Sequence, residues 1–385
     1  AWRVSGEEFM KSLSWLSNLK LRLSYGQTGN DNVSAYQTQG SISGAKYYTF
    51  GSSESIGYVP NNLRNLDLGW ERTTEYNVGL DFGFFNNRIS GSVEYYNRLT
   101  EDLIMNKTVP VTTGYSSVKA NVGSVRNEGF EVNINSDNIR TKDFSWRTSL
   151  NFAYNKNKIV DLQYKENLTS RGLSLAGMSG DYSNLWIIGQ PIDINYNLMT
   201  LGVWQLDEAE EAAKYFKDSK KTQPFKPGDI KLRDLNGDYI IDDKDETYLG
   251  SQSPKWTGGF NNNFSYKNFD LNVYIIARWG QMIDYELTGS YDPQGKGNFP
   301  AYLNYWTPEN PSNDFPRPAQ TNFYNYLGYQ TLNYIDGSYW KIKTVSLGYT
   351  FPKSLTSKLG VSKLRAYVTA NNLFSFAKNH LIQDY

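Results

Sequence analysis

Apolar and polar residues alternate with a period of two along several segments of this chain. In "TTEYNVGLDFGFF", polar residues or glycines separate the apolar residues Tyr76, Val78, Leu80, Phe82 and Phe84. Successive side chains of a β-strand point to opposite faces, so this alternation predicts a strand with one apolar and one polar face. A second alternating run, "RISGSVEYYNRLT", follows Asn86-Asn87, and together the two runs predict a β-hairpin with a two-residue turn.

The same alternation recurs in later parts of the chain. It is found in the segments "GFEVNINSD" (129–137), "FSWRTSLNFAYN" (144–155), "GGFNNNFSYKNFDLNVYIIARWG" (258–280), "VSLGYTF" (345–351) and "LRAYVTANNLF" (364–374). The predicted strands have roughly ten or more residues, whereas strands of soluble sheets typically have about five or six. The chain is therefore predicted to be all-β.

The connections between the predicted strands are of two kinds. Some are tight turns, and others are long and polar, namely 27–70, 205–250 and 281–335. A transmembrane antiparallel β-barrel has this asymmetry, with lipid outside, water inside, short periplasmic turns and long extracellular loops. A soluble β-sandwich also alternates with period two, so that class remains an alternative at this point.

Composition narrows the function classes. The chain has no cysteine, which excludes disulfides and thiolate sites, and a single histidine, His380, which excludes a histidine-rich zinc site. Lys+Arg and Asp+Glu are both 39, which argues against nucleic acid as a partner. Aromatic residues make up 15% of a chain whose mean hydropathy is −0.59. We expect a β-protein with one wet face that is not an enzyme.

The stretch "RDLNGDYIIDDKD" (233–245) has the spacing of a calcium-binding loop. Positions 1, 3, 5, 7, 9 and 12 of such a loop supply the oxygen ligands; here these are Asp234, Asn236, Asp238, the carbonyl of Ile240, Asp242 and Asp245. Position six, which favours glycine, is Tyr239. The alternative is an acidic, solvated turn. A short helix is predicted before the loop, with Asp207 as its N-cap.

Aromatic residues also cluster around "YLNYWTPENP". The residues proposed to contact a substrate or a protein partner are Tyr302, Tyr305 and Trp306. The alternative is that these rings pack the long loop onto itself or belong to the aromatic girdle of a membrane barrel.

Several segments resemble the SusC/RagA family of TonB-dependent transporters in the outer membrane of Bacteroidota. They are "NLKLRLSYGQTGN" (18–30), "LGWERTTEYNVGLDFGFFNNRISGSVEYYNRLTEDLI" (68–104), "GSVRNEGFEVNIN" (123–135), "PGDIKLRDLNGDYIIDDKD" (227–245), "SPKWTGGFNNNFSYKNFDLNV" (253–273), "YWTPENPSNDFPRP" (305–318) and "GSYWKIKTVSLGYTFPKSL" (337–355). The resemblance covers nearly the whole chain in the family's order.

The resemblance implies that residues 1–385 form the C-terminal portion of a 22-stranded barrel, with roughly a dozen of its strands. The plug, the TonB box and the N-terminal domain of such transporters are not found in the sequence. The residues expected to line the lumen are Glu75, Asn77, Asp81, Arg147 and Asn151. The acidic loop 234–245 would lie in an extracellular loop, where calcium would have a structural role.

The implied function is TonB-dependent import of a large nutrient across the outer membrane, with an oligosaccharide as the first candidate and a peptide also allowed. The implied partners are a SusD-like surface lipoprotein, outer-membrane lipid and, through the plug, the TonB–ExbB–ExbD complex. A dimer of SusC–SusD pairs is also compatible with the resemblance, and nucleic acid is not expected. Two alternatives remain, a passive porin-like channel and a soluble calcium-stabilised adhesin or glycan-binding β-protein.

Overall fold

The computed structural model describes residues 1–31, 33–34, 38–163, 165–171, 173–285, 303–318 and 329–382. Its main feature is one antiparallel sheet of nine strands, here called the wall, in which every strand pairs with its neighbours in chain order. The strands are β1 (Leu16–Asn30), β2 (Glu71–Phe84), β3 (Ile89–Glu101), β4 (Gly123–Arg140), β5 (Phe144–Leu162), β6 (Trp256–Tyr266), β7 (Phe269–Trp279), β8 (Tyr339–Thr350) and β9 (Arg365–Ala377).

The remaining elements are short. Further strands are Ile42–Phe50, Ser53–Pro60, Ile104–Thr108, Ser117–Asn121, Glu166–Asn167, Ser179–Asp181, Trp186–Ile187, Ile194–Asn197, Thr200–Val203, Ile230–Leu232, Thr247–Ser251, Met282–Asp284 and Tyr334–Asp336. The α-helices are α1 (Ala209–Ala212) and α2 (Lys353–Thr356). The 3₁₀ helices are Val4–Gly6, Glu8–Met10, Val111–Thr113, Leu168–Arg171, Leu173–Leu175, Tyr182–Asn184, Leu206–Glu208, Asp243–Asp245, Tyr329–Asn333, Ser357–Leu359 and His380–Ile382. Within the described ranges, no helix has the length and apolar character that crossing a membrane requires.

The register places the apolar residues of neighbouring strands side by side on one face of the wall. Leu80 of β2 is opposite Val93 of β3, and Val93 is opposite Val132 of β4. Val132 is in turn opposite Phe152 of β5. Side chains alternate along each strand, so one such row determines on which face each of the remaining residues of the ladder lies. The period-two prediction for these strands is confirmed.

Aromatic residues form two bands across the apolar face, one near each end of the wall. On β5 the bands are marked by Trp146 and Tyr154, which are eight residues apart. Phe264 stacks on Trp146 with ring centroids 5.6 Å apart in one band, and Trp256 stacks on Trp279 at 6.0 Å in the other. Eight residues of strand span about 26 Å, close to the height of about 25 Å of the apolar band of an outer-membrane barrel.

The apolar face is exposed although its residues are hydrophobic. Leu23 is 66% exposed, Tyr76 57% and Val368 67%. A face of nine strands that presents Leu, Val and aromatic side chains cannot be stable in water, since exposed apolar patches of this extent mark contact surfaces. Its alternation, its height and its aromatic borders match a surface that contacts lipid.

The opposite face of the wall is polar, and several of its charges are paired. Arg22 donates to Asp81 at 2.8 Å and to Glu94 at 2.5 Å, and Arg98 lies 2.7 Å from Glu75. Further along the sheet, neutral amides also lie on this face, and they form the pairs and ladders Asn135–Ser149 and Asn261–Asn272–Asn263. The residues expected to line the lumen, Glu75, Asn77, Asp81, Arg147 and Asn151, all lie on this face by register.

The connections differ in length at the two ends of the wall. At one end, β4–β5 and β6–β7 are joined by two or three residues, and β2–β3 by four, Phe85–Arg88. The two-residue turn predicted at Asn86-Asn87 is wrong, because Phe84 and Ile89 form the last pair and Arg88 N donates to Phe85 O. Phe85, Asn86 and Asn87 all have positive φ, from 53° to 59°.

At the other end, the long connections are residues 31–70, 102–122, 163–255 and 280–338. Roughly a dozen barrel strands were expected, but the continuous sheet in the described residues has nine, and the other strands are short hairpins inside these connections. The wall is an open sheet with edges at β1 and β9. It is part of an antiparallel barrel wall with long loops on one side.

Substitutions of neighbouring residues on the two faces are expected to differ in their effect on stability. Val132→Arg, at mid-height of the apolar face, is expected to destabilise the barrel in lipid by about 2–4 kcal/mol, because it places a charge in hydrocarbon. Asn133→Arg, one residue further on the polar face, is the matched control and should cost well under half of that. The measurement is reversible denaturant unfolding of the full-length transporter in lipid vesicles. Equal losses for the two variants would contradict the assignment of the faces.

Candidate functional site in the loop layer

The described residues of the connections 163–255 and 280–338 fold into a layer at one end of the wall, here called the loop layer. It has a hydrophobic core of its own, formed by Leu198, Trp204, Ala212, Phe225, Ile230, Leu232 and Ile241. A second core is formed by Leu168, Leu175, Ile187, Ile194 and Tyr196. Burial of this kind is typical of a water-soluble domain, so the loop layer is folded by the hydrophobic effect whereas the wall is not.

The loop layer is fixed to the end of β5 that extends past the aromatic band. Ile159 N donates to Gln190 O at 2.9 Å, and Gly189 N donates to Ile159 O at 2.8 Å. Ile159 and Val125 are buried against Trp186 and Ile188 of the layer. These contacts hold the layer at the mouth of the barrel rather than as separate loops.

A buried ion cluster joins two segments of the loop layer that are distant in sequence. Lys217 Nζ lies 2.7 Å from Asp229 Oδ2, and Arg317 Nη2 lies 3.0 Å from Asp229 Oδ1. The side chains of Lys217 and Asp229 are only 8% and 5% exposed. Burial lowers the pKa of Lys217, and the Asp229 carboxylate opposes that shift. The sequence gives no sign of this cluster, since no local spacing relates its three residues.

Trp306, one of the predicted contact residues, lies in the interior of the loop layer. It is 4% exposed, and its indole N–H donates to Gln205 Oε1 at 2.9 Å. A Cβ on Gly228, which has a φ of +84°, would lie 2.5 Å from the Trp306 ring, so only glycine fits beneath it. Trp306 therefore packs the layer and has little surface to offer to a ligand.

Gln205, which holds Trp306, also caps the short helix that the sequence predicted. The helix begins as a 3₁₀ turn, Leu206–Glu208, and continues as α1. Gln205 is its N-cap, and the side chain of Glu208 accepts from Gln205 N at 3.1 Å. The prediction of Asp207 as the N-cap is wrong, because the helix begins at Leu206.

Tyr305 lies at the surface and Tyr302 lies outside the described residues. Tyr305 is 39% exposed and forms a β-bridge with Phe315. Of the two predicted contact residues that the structure describes, Tyr305 is the one that a partner could reach. Its role in binding stays a prediction.

The acidic loop 234–245 is organised by hydrogen bonds from its own backbone. Asp234 Oδ1 accepts from Gly237 N at 2.7 Å, and its Oδ2 accepts from Tyr239 N at 2.9 Å. Asp238 Oδ1 accepts from Ile240 N at 2.7 Å. Each carboxylate therefore folds the following residues around itself, as Asp side chains commonly do in turns.

The second half of the loop is closed by Asp245, which is fully buried. Its two carboxylate oxygens accept from Leu235 N at 2.9 Å and from Asp242 N at 3.0 Å, so it joins the two ends of the loop. Asp242 caps the 3₁₀ turn that follows and accepts from Lys244 N. Burial raises the pKa of Asp245, and Asp234 and Asp242 add to this rise.

Tyr239 takes the left-handed backbone conformation that position six requires. Its φ is +64°, and Gly237 has a φ of +73°. The Tyr239 ring packs on Tyr215 with centroids 5.1 Å apart, and Tyr239 O accepts from Phe216 N. These contacts compensate for the strain of a tyrosine at positive φ, so the sharp turn forms without glycine at this position.

The described residues include no group of three or more Asp, Glu, His or Cys side chains that could hold a metal ion. The oxygens of Asp234, Asn236, Asp238, Asp242 and Asp245 are engaged by backbone N–H groups, and Asn236 also donates to Asp238 at 3.0 Å. Calcium binding at the loop stays a prediction from the sequence.

The wall and its loop layer can be compared with known proteins. The family model "TonB dependent receptor-like, beta-barrel" matches residues 2–373, nearly the whole chain. The chain belongs to this family of outer-membrane β-barrels. The SusC/RagA resemblance of the sequence is confirmed by relatives and structures that carry these names.

TonB-dependent receptor P3 of Formosa agariphila is 34% identical over 388 residues, which are 98% of this chain and 36% of that protein. TonB-dependent receptor SusC of Bacteroides thetaiotaomicron is 30% identical over 392 residues, 98% of this chain and 36% of that protein. The structure of the RagAB peptide transporter superposes with a TM-score of 0.73 at 25% identity and covers 98% of this chain. The chain thus spans little more than a third of the length of these relatives.

The ion cluster predicts a large effect of one substitution. Asp229→Ala is expected to destabilise the loop layer by about 3–5 kcal/mol, because the buried Lys217 ammonium loses this carboxylate. Glu211→Ala, which removes the exposed pair between Lys214 and Glu211, is the control and should cost at most about 1 kcal/mol. Amide hydrogen exchange of the full-length protein measures both. Unchanged exchange in the loop layer of the Asp229 variant would show that the cluster does not hold it together.

Calcium binding can be tested with conservative substitutions. The sequence spacing predicts that full-length protein takes up calcium in a titration, and that Asp234→Asn with Asp238→Asn abolishes the uptake, since two charged ligands are lost. Glu210→Gln with Glu211→Gln removes the same charge outside the loop and should leave the uptake unchanged. A wild-type protein that binds no calcium would show that the turn is stabilised by its own hydrogen bonds alone.

Proposed function

We propose that this chain is the barrel wall and mouth of a SusC-like importer that takes up a large, polar nutrient through the outer membrane. The carrying observation is the contrast between the two faces of the wall. One face suits lipid, and the other presents paired charges and neutral amides to an aqueous interior. Membership of the family supports uptake coupled to TonB, with energy from the TonB–ExbB–ExbD complex acting through a plug.

An oligosaccharide is the proposed cargo. Amide groups such as those of Asn261, Asn263 and Asn272 both donate and accept hydrogen bonds, as sugar hydroxyls require. The charges of Arg22 and Arg98 on the same face are already neutralised by carboxylates of the wall. A peptide is the second candidate, because the similar RagAB structure is described as a peptide transporter. Amides also suit the hydrogen-bonding groups of a peptide backbone.

A SusD-like surface lipoprotein is proposed to dock on the loop layer. The layer has its own core and is hydrogen-bonded to β5, so it can offer a preformed surface to a partner. Tyr305, exposed on this layer, is a proposed contact. A dimer of two such pairs is a further proposal and is compatible with the lipid-facing wall.

Uptake assays can separate the proposed functions. Cells that express the full-length protein are expected to accumulate a fluorescent neutral oligosaccharide, and a proton uncoupler or deletion of TonB should reduce accumulation to background. Deletion of the neighbouring gene for the SusD-like lipoprotein should have a similar effect, because the partner that docks on the loop layer is lost. A labelled peptide of similar mass serves as the competing cargo.

Each outcome bears on one part of the proposal. Accumulation that resists the uncoupler would favour the porin-like channel over active import. Preference for the peptide would replace the oligosaccharide as cargo but keep the transporter. The soluble adhesin alternative does not fit a family of outer-membrane barrels.

A further inference from the structure

The strands β4 and β5 carry a group of cations on the lipid-facing side, just beyond the aromatic band. Phe130 and Tyr154 are cross-strand partners in that band. Two residues further along each strand, on the same face, Glu128 is opposite Lys156, and after two more Arg126 is opposite Lys158. Side chains at every second residue share a face, so Arg126, Lys156 and Lys158 all project outward from the barrel.

These three cations form no ion pair within the described residues, unlike several other cations of the wall. Arg22, Arg98, Arg147 and Arg365 each lie within 3.0 Å of a carboxylate oxygen. In contrast, Arg126 Nε is buried and has no hydrogen-bond partner. The chain therefore supplies no acceptor for this guanidinium nitrogen.

The charges around the group leave it cationic. Glu128 is the one carboxylate on the same face of β4 at this level, and it reduces the group from three positive charges to two. On the neighbouring strands, Arg72 and Glu101 face outward and pair with each other at 3.1 Å. Leu99 is the cross-strand partner of Arg126 on β3, so an apolar side chain lies beside the cations.

The height of the cations matches the headgroup region of a membrane. Lys156 and Lys158 lie about 7 Å and about 13 Å along the strand beyond Tyr154. Aromatic girdles mark the boundary between hydrocarbon and headgroups, so these positions are level with headgroup phosphates. The end of the wall concerned is the one with the long loops, which is the extracellular end in such barrels.

We propose that Arg126, Lys156 and Lys158 form a binding site for the phosphate group of an anionic lipid in the outer leaflet. The Arg126 guanidinium would donate a fork of hydrogen bonds to phosphate oxygens, and the two ammonium groups would add charge. The acyl chains of the same lipid would lie on the apolar face below, against Phe130 and Tyr154. This inference depends on the outer-membrane location and not on the proposed cargo.

The test measures lipid binding to full-length transporter in detergent. The probes are a phosphorylated lipid A and its dephosphorylated counterpart with the same acyl chains. The variant Arg126→Gln with Lys156→Gln and Lys158→Gln is expected to bind the phosphorylated lipid at least about tenfold more weakly. Each removed cation near a headgroup is expected to lower the affinity by slightly less than about tenfold. The control is Lys142→Gln with Lys267→Gln and Lys358→Gln, which removes the same charge at the opposite end of the wall.

The proposal requires three results together. The control variant should bind the phosphorylated lipid like wild type. The dephosphorylated lipid should bind as weakly to wild type as to the site variant. Inorganic phosphate should not displace the phosphorylated lipid from wild type. Equal binding of the two lipids by wild type would mean that the apolar band alone holds them. Competition by inorganic phosphate would mean a site for a free anion, and an unaffected site variant would overturn the assignment outright.

Discussion

The structure depends on the requirement that a backbone in lipid must satisfy its hydrogen bonds within the sheet while its side chains face two different solvents. The nine-stranded ladder meets the first requirement between neighbouring strands. The alternation of residues such as Val132 and Asn133 meets the second, since one faces lipid and the next faces water. The length of the strands, the spacing of the aromatic bands and the pairing of charges on the inner face all follow from this requirement.

The loop layer is stabilised by different interactions from those of the wall. It is stabilised by buried apolar clusters around Trp204 and Ile187, as a soluble domain is. Its buried Asp229 pairs with Lys217 and also with Arg317, 88 residues further along the chain, whereas a charge pair of the wall such as Arg98–Glu75 joins adjacent strands at a wet surface. One chain thus contains two regions stabilised by different interactions, and the junction near Ile159 fixes the position of one relative to the other.

The sequence was sufficient to predict the wall because a period of two is a local and repeated signal. It could assign the face of Val78 or Asn151 without any knowledge of the strand partners. The loop layer could not be predicted in the same way, since its strands have two to five residues and its contacts, such as Asp229 with Arg317, are not local. The conformation of the acidic loop also could not be predicted from local sequence. Tyr239 has a positive φ, which tyrosine disfavours, and its packing on Tyr215 stabilises this conformation.

The central claim is that one face of the wall contacts lipid and the other contacts water, and these 385 residues contain no cysteine that would compete with an introduced one. Single cysteines introduced at each position from 146 to 154 of β5 can be spin-labelled in the full-length protein in membranes. Electron paramagnetic resonance then measures collisions with oxygen, which concentrates in lipid, and with a water-soluble nickel complex. The account predicts oxygen accessibility at even positions and nickel accessibility at odd positions. Labels that show no alternation, or equal access of nickel to both faces, would contradict it.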